Sequence, residues 1–572
     1  MNPIIGFNDF ESPNIASRLT HWAKHNPDQV AVVEPKLRRR ILGKTGYEVT
    51  TFAELDRDSD HIAKGLLRWG IAPKMRLIML VPFSSTFIRL TFATLKAGIN
   101  VVLIDPGIGR KHLVNCLAMT EPDGFIGIPK AQVIRSLLRS RFKRASWNVT
   151  VGRRWGWGGI SLDQVRRLGE SSSHQNLPEI GSNDPAAIIF TSGSTGPPKG
   201  VAYTHSNFQS QVDLIRNRYN ILPGSRDLAC FPLFGLFDNV MGVTTVIPDM
   251  DPTRPAAVVP ERLFNAIYDW QVDQAFGSPA LWHQVVKWCE RSGKNLNPLR
   301  RILSAGAPVP ADTLQKLKTL ANQDAQIITP YGATEALPIA SIEAREVIEE
   351  TGPKTKRGFG VCVGTRFPEI QWKVIEIKDD PLPSIDMTRE LPKGMIGELM
   401  VTGPVVTSRY VVREDQNYLH KVSDGEKTWH RMGDVGYLDE QDRFWFCGRK
   451  SHRVTRGEET WFSVPCEAIF ETHPDIYRAA LVGVGEAGNQ TPVVIVEPHK
   501  EKRPVNSSQR QRLVNELLQL GTQTDSTAKI TDIRIYPRGL PVDIRHNSKI
   551  CREKLTAEIN TLSAYSKLQI RR

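Results

Sequence analysis

The 572-residue chain contains no Cys-x-x-Cys pair, and its seven cysteines (Cys116, Cys230, Cys289, Cys362, Cys447, Cys466 and Cys551) are odd in number and far apart. That spacing rules out a disulfide frame and a zinc ribbon, and it sets the expectation of reduced thiols in a cytoplasmic setting. A secretory start is also missing: Asp9 and Glu11 stand where a signal peptide needs a basic end and an apolar run. Long apolar segments are lacking too. The richest, Leu228 to Ile247, is interrupted by Pro232 and Asp238, so buried core is expected there and no transmembrane segment. No repeat of fixed period is present.

Charge is not scarce but lopsided, with 74 Lys and Arg against 61 Asp and Glu, a net of +13. Local clusters occur at Lys36-Leu37-Arg38-Arg39-Arg40, from Arg135 to Arg144, and at Arg153-Arg154-Trp155-Gly156-Trp157. The last interleaves bases with aromatics as nucleic-acid binders do. No nucleic-acid motif accompanies it, so the expectation is a basic surface on a protein handling anionic small molecules, with no nucleic acid as partner. Peripheral attraction to anionic membrane surfaces stays open.

The most informative stretch is Thr191-Ser192-Gly193-Ser194-Thr195-Gly196-Pro197-Pro198-Lys199-Gly200. An apolar run, Ala186 to Phe190, leads in as a strand would, and Val201 to His205 leads out in the same manner. Glycines admit an anion close to backbone N–H groups, hydroxyls add donors, and Lys199 supplies a compact positive charge. These are the parts of a polyphosphate cradle. It is not the P-loop of nucleotide hydrolases, because two prolines separate Gly196 from Lys199 and a strand, not a helix, follows.

Elsewhere strand and helix alternate. Thr51-x-x-Glu54 is a capping box opening a helix, Arg76 to Val81 reads as a strand, Phe87 to Ala97 as a helix, and Asn100 to Ile104 as a strand. Such alternation predicts a mostly parallel sheet covered by helices. From Ala145 to Asp184 the pattern dissolves into Gly, Ser, Trp and charge, and a surface excursion is expected. Phe231 to Phe237 reads as an apolar segment with flexible punctuation. Beyond Gly394 short β segments dominate, and Gly448-Arg449-Lys450 marks a boundary. The predicted organisation is therefore α/β. A large N-terminal domain (1–448) of mostly parallel sheets carries a small β-barrel-like subdomain, and a small mobile α+β domain (449–572) follows.

Three further constellations carry chemistry. Ser304-Ala305-Gly306-Ala307-Pro308 ends a strand with small residues that leave space for a flat ring. Tyr331-Gly332-Ala333-Thr334-Glu335 sets a carboxylate behind a hydroxyl in a tight turn, where it can offer a hard oxygen to Mg²⁺. Trp429-His430-Arg431-Met432-Gly433-Asp434 places a carboxylate at the mouth of a β segment.

In this order, the motifs resemble those of the adenylate-forming superfamily, which includes acyl-CoA synthetases, luciferases and peptide-synthetase adenylation domains. The resemblance spans Thr191 to Arg552 and implies ATP and Mg²⁺ as cofactors and a carboxylic acid as substrate. It places phosphate on Thr191, Ser192, Gly193, Ser194, Thr195, Gly196, Lys199 and Thr334. Adenine falls beside Ala305, Gly306 and Ala307 and the backbone of Tyr331, Gly332 and Ala333. The metal goes to Glu335, the ribose hydroxyls to Asp434, and a hinge contact with the nucleotide to Arg449. Arg545-His546-Asn547-Ser548-Lys549-Ile550 resembles the family's C-terminal catalytic loop, so Lys549 would bridge the substrate carboxylate and the α-phosphate.

Departures from the common pattern point to a branch. Gly235 follows Pro232-Leu233-Phe234 where many acyl-CoA synthetases carry a His; Met432 replaces a Thr, Ser451 replaces the hinge Asp or Lys, and Asn547 replaces a Gly. The strings Gly-Arg-Lys-x-His-Arg-Val and Tyr-Gly-Ala-Thr-Glu-Ala-Leu-Pro are similar to those of the β-lactone synthetases of long-chain olefin biosynthesis. That branch implies a 2-alkyl-3-hydroxy fatty acid substrate, closure of the acyl-adenylate by its own β-hydroxyl, and partner enzymes of the same lipid pathway. The competing expectation is a fatty-acid CoA ligase or an acyl-AMP ligase loading a carrier protein. A non-catalytic nucleotide- or RNA-binding protein is the more distant one.

Overall fold

The computed structural model describes residues 12–41, 44–105, 110–172, 174–191, 197–542 and 550–559. A parallel run forms one half of the molecule, in the order Gln326–Ala333, Arg301–Ser304, Gln274–Gly277, Arg226–Ala229, Thr244–Val246. Val30–Ile41 pairs in parallel at one edge. At the other edge the chain reverses through a hairpin into Ala336–Glu343, and the sheet continues as the antiparallel strands Val361–Arg366, Arg443–Arg449, Lys427–Leu438, Gly397–Thr402 and Gln371–Ile375. The short β segments expected after Gly394 thus extend this sheet.

A second sheet is ordered Tyr410–Val412, Gly200–Thr204, Pro185–Phe190, Asn100–Leu103, Arg76–Leu80, Gly124–Gly127, Trp147–Thr150, Ile160–Ser161. Pro185–Phe190 and Gly200–Thr204 pair antiparallel, so the glycine- and hydroxyl-rich stretch starting at Thr191 connects a strand pair, as its apolar flanks require. One apolar cluster, including Phe92, Val101, Tyr203, Ile339, Phe367 and Tyr410, packs the two sheets together.

Local sequence explains the helices. Thr51 and Glu54 form the expected reciprocal cap of Phe52–Arg68. The segment expected to be a surface excursion instead contains Trp147–Thr150, Ile160–Ser161 and the helix Leu162–Glu170, which has its own capping box from Ser161 and Gln164. That helix packs against Phe52–Arg68 at glycine contacts: a Cβ on Gly169 would sit 1.7 Å from the His61 carbonyl oxygen. Similarly, the segment expected to be punctuated by flexibility is the helix Pro232–Val240. Pro232 occupies its first position, where the missing N–H costs nothing. Leu228 to Ile247 is core, and among the described residues no helix is long and apolar enough to cross a membrane.

After Arg449 the chain builds a smaller α+β unit. Ile476–Val484 and Thr491–Pro498 pair antiparallel, Asp532–Ile535 adds in parallel, and the helices Ser463–Phe470 and Ser507–Gly521 cover them. Val454, Trp461, Phe470, Leu481, Val496 and Leu517 belong to its own core. All seven cysteines are free thiols, and six are buried.

Candidate active site

A cavity of 2080 Å³ runs between the sheets and reaches the smaller C-terminal unit. Thr191, Lys199, Ala305, Gly306, Ala307, Tyr331, Gly332, Ala333, Thr334, Glu335, Asp434 and Arg449, predicted from motifs scattered over the chain, all line it. Ser192, Gly193, Ser194, Thr195, Gly196 and Lys549 lie outside the described residues.

Thr191 and Lys199, the two ends of the stretch expected to cradle phosphate, are tied together. Thr191 N–H donates to the Lys199 carbonyl at 3.0 Å, and Lys199 N–H donates to Thr191 Oγ1 at 3.1 Å. The Lys199 ammonium lies 2.9 Å from His420 Nε2 and 5.1 Å from the Tyr410 ring centre. Burial, then the Lys199 charge, pushes the His420 imidazole down to about 3, so it is neutral. Its Nδ1 sits 3.2 Å from the Arg431 carbonyl, which fixes the proton on that nitrogen and leaves Nε2 as acceptor for Lys199. Burial lowers the Lys199 pKa from its ordinary value, and the Glu335 carboxylate works against that loss.

Glu335 turns the hairpin between Gln326–Ala333 and Ala336–Glu343 and is buried. The Tyr410 hydroxyl donates to its Oε1 at 2.6 Å, while Thr407 N–H and Oγ1 hold its backbone carbonyl at 2.9 and 3.0 Å. Burial and the Glu335 charge keep the Tyr410 phenol well above its ordinary pKa, so it remains a donor. Lys421 also approaches that ring, 5.6 Å from its centre, is half-buried and donates to the Thr407 carbonyl at 2.5 Å; loss of solvent pushes its pKa down to about 7. Among the described residues no group of three or more His, Cys, Asp or Glu side chains is placed to hold a metal ion by itself. A single hard carboxylate oxygen fits Mg²⁺, which prefers to share one or two carboxylates with phosphates and water.

Asp434 ends up between two partners. Tyr331 hydroxyl donates to Oδ2 at 2.5 Å, and Arg449 Nη1 donates to Oδ1 at 2.6 Å and to the Met432 carbonyl at 3.2 Å. Each carboxylate oxygen keeps a second lone pair for a further donor. Burial and the Asp434 charge raise the Tyr331 pKa well above its usual value. Close by, Gly306 has φ +97°, a conformation that favours glycine, and Ser304 Oγ is buried with no hydrogen-bond partner among the described residues. A Cβ at Gly332 would come within 2.8 Å of the Ala336 carbonyl oxygen, so the backbone there stays bare for a planar ligand.

The other end of the cavity is apolar. Phe234 stacks on Phe276 with ring centres 3.7 Å apart, Phe231 tilts against both, and Phe83 closes in from the second sheet's side. Gly235 makes this possible: a Cβ there would lie 2.8 Å from Phe83 Cζ. Its carbonyl accepts from Thr245 Oγ1 at 2.9 Å.

A family model for AMP-binding enzymes matches residues 19–411. The chain belongs to that family. It is 44% identical over 95% of its length to the olefin β-lactone synthetase of Xanthomonas campestris pv. campestris, covering 96% of that protein. The corresponding figures for the olefin β-lactone synthetase of Stenotrophomonas maltophilia are 43%, 95% and 97%. Among solved structures, an amide bond synthetase from Marinactinospora thermotolerans shares the fold with a TM-score of 0.71 at 20% identity, over 93% of this chain and 97% of that one. The o-succinylbenzoate CoA synthetase of Bacillus subtilis, in complex with ATP and a magnesium ion, does so at 0.70 and 19%, over 94% and 98%. This AMP-binding enzyme is therefore an AMP-forming ligase of two-part α/β architecture.

Sequence reasoning missed Tyr410, His420 and Lys421. The stretch that holds them has no motif, and Tyr410 reads as one more β-strand aromatic; only its pairing with Gly200–Thr204 brings it under Lys199. Reasoning also gave Arg431 no role. It is fully buried against Glu398 at 2.6 Å, and Lys450 adds a third charge at 3.1 Å, which clamps the strand before Asp434 to the segment after Arg449.

Proposed function

We propose that this AMP-binding enzyme activates a long-chain 2-alkyl-3-hydroxy fatty acid with ATP and then closes it to a β-lactone. In the first step a carboxylate oxygen attacks the α-phosphorus of ATP, forming the acyl-adenylate and releasing pyrophosphate. In the second, the β-hydroxyl oxygen attacks the activated carbonyl, its proton is lost, and AMP leaves. No external thiol enters the balance. The observation that carries the reading is the similarity to olefin β-lactone synthetases along almost the whole chain. The 2080 Å³ cavity supports it, because drug-sized ligands fill about 300–1,000 Å³ and a nucleotide plus a branched lipid needs far more.

Each side chain has a task in this reading. Asp434, held by Tyr331 and Arg449, accepts the ribose hydroxyls, while the Ala305–Ala307 segment and the Tyr331–Ala333 backbone flank the base. Thr191 to Gly196, Thr334 and Lys199 cradle phosphate, and Glu335 takes Mg²⁺ with the triphosphate. Lys549 delivers a cation to the meeting oxyanions, a stabilisation worth most in the transition state. Residues 449–572 move as a domain relative to 1–448 about Arg449. The apolar walls hold hydroxyl and carbonyl in one conformation, raising their effective concentration.

The test is incubation of the protein with ATP, Mg²⁺ and a 2-alkyl-3-hydroxy acid, followed by mass spectrometry. Lactone and AMP without CoA are expected. Product that forms only when CoA is added would reject lactone closure in favour of a CoA ligase, the activity named for the Bos taurus medium-chain acyl-CoA ligase that is 25% identical over 81% of this chain.

A further inference from the structure

Between Gly124 and Leu162 the chain has no Asp or Glu. Lys130, Arg135, Arg139, Arg141, Lys143 and Arg144 lie in its first part, and Arg153 and Arg154 in its last, so this run alone contributes 8 − 0 = +8 to the net +13. None of these residues has a task in the adenylation chemistry. The run folds as the strand Gly124–Gly127, the helix Pro129–Leu137, the turn Arg139–Arg141, the strand Trp147–Thr150 and the loop to Ile160.

What shares the surface with these cations is apolar. Val133 and Ile134 are 44% and 46% exposed, Leu137 is 79% exposed and Trp155 63%. The loop is fixed to the helix: Arg135 donates to the Trp157 carbonyl at 2.8 Å, Trp157 stacks parallel to Trp155, and Arg153 covers the Trp155 ring at 5.8 Å. Arg144 turns away to Asp123 at 3.0 Å, whereas Lys130, Arg139, Arg141 and Lys143 stand exposed around the aliphatic residues. Single exposed apolar side chains are ordinary; several on one helix and one tethered loop, ringed by cations, are not.

The same helix is also a wall of the cavity. Lys130, Ala131 and Ile134 line it, and Ile134 is both lining and half-exposed, so the apolar interior comes to the surface at the patch. We propose that this face docks on an anionic membrane surface and that the long-chain acid enters the cavity from the bilayer past Ile134. Leu137, Val133 and Trp155 supply the shallow apolar insertion, and the cations meet anionic headgroups, each contributing roughly fivefold to the partition. Trp suits the headgroup level, where one side of the ring is apolar and the other wet. Nucleic acid fits less well, because aliphatic side chains offer a phosphate backbone nothing. The inference rests on the long-chain part of the reading above and not on lactone closure.

The test uses the full-length protein with vesicles of phosphatidylcholine and phosphatidylglycerol, or of phosphatidylcholine alone, in salt of about 0.15 M, where exposed charges more than ~8 Å apart are screened. Co-sedimentation with the anionic vesicles is expected, at least tenfold stronger than with the neutral ones. The triple variant R139E/R141E/K143E should lose at least tenfold, and L137S/W155S should lose a similar factor even at low salt. Both variants should turn over detergent-solubilised acid at the wild-type rate and vesicle-held acid at least tenfold more slowly. Pyrophosphate exchange with a short soluble acid should be unchanged in both, which reports an intact fold and separates failure of docking from failure of the adenylation reading. Absence of binding to anionic vesicles, or binding that neither variant weakens, would overturn the proposal. So would equal competition by a duplex oligonucleotide together with indifference to L137S/W155S, which would assign the face to polyanions in general.

Discussion

The two ends of the cavity are built by different rules. At the polar end, charged and hydroxyl groups are fixed by specific partners, such as Asp434 between Tyr331 and Arg449, and Glu335 under Tyr410. At the apolar end nothing is specific but shape: Phe234 stacks on Phe276, and Phe83 closes on a residue that lacks a side chain, Gly235. Hydrogen-bonded sites fail when one partner is removed, and packed walls fail when volume is added. The comparison teaches that activation and acid selection should separate on mutation.

The largest effect is expected at the polar end. Glu335→Ala removes the hard oxygen proposed to hold Mg²⁺ with the triphosphate, and adenylation should fall about a hundredfold or more. Pyrophosphate exchange titrated with Mg²⁺ checks it, and the loss should be the same for short and long acids. A variant with an unchanged metal dependence would break the assignment of Glu335.

Next in size is Gly235→His, which forces a side chain onto Phe83. Overpacking of this kind costs about 1–3 kcal/mol of fold stability, and a displaced Phe83 narrows the apolar end, so turnover of long-chain acid should drop sharply. Exchange with a short acid should hold, the converse of Glu335→Ala. Equal losses with both acids would mean that the two ends of the cavity are not independent.

The difference between the ends also decides what was readable in the sequence. The polar motifs use residue types whose chemistry is narrow, so Thr191, Glu335 and Asp434 stand out along the chain. Their supports do not: Tyr331 and Asp434 meet across 103 residues, and Lys199 and His420 across 221. Such pairs are products of sheet order, which local pattern does not encode. The capping box at Ser161 and Gln164 was present in the sequence, but the Gly, Trp and charge before it hid the helix. Pro232 and Gly235 disguised another, although one is a helix-starting residue and the other a contact with Phe83. The apolar end was legible only as composition, because core and lipid wall are made of the same residues.

A smaller effect sharpens the polar side. Asp434→Asn keeps the shape but removes the charge facing Arg449, and hydrogen bonds to charged groups are worth about 1.5–3 kcal/mol. KM for ATP should rise about tenfold, with little change in KM for the acid. A change in the acid's KM instead would move Asp434 out of the ribose role.

The smallest effect tests the floor of the acyl end. Asp227, on the strand Arg226–Ala229, and Asp238, on the helix Pro232–Val240, face each other in the core, with Asp273 and Arg301 close by. Burial pushes Asp227 up to about 7, against a hydrogen bond from Asp238 and with help from the Asp273 charge, while burial and then the Asp227 charge hold Asp238 well above its usual value. A carboxyl raised in the folded state stabilises fully below its unfolded pKa of about 3.9, and that contribution is lost as pH rises through the folded value. The wild-type protein should therefore lose stability between about pH 4 and pH 7. Asp227→Asn is neutral in both states and removes one of the two charges, so its Tm should match wild type near pH 4 and exceed it near pH 8, by differential scanning. Exchange with a short acid should be unaffected, because the pair lies beneath the apolar wall and away from Glu335 and Asp434. If the gap between the two melting curves stayed constant with pH, neither carboxyl would be raised in the fold, and burial beneath the helix Pro232–Val240 would not set their protonation.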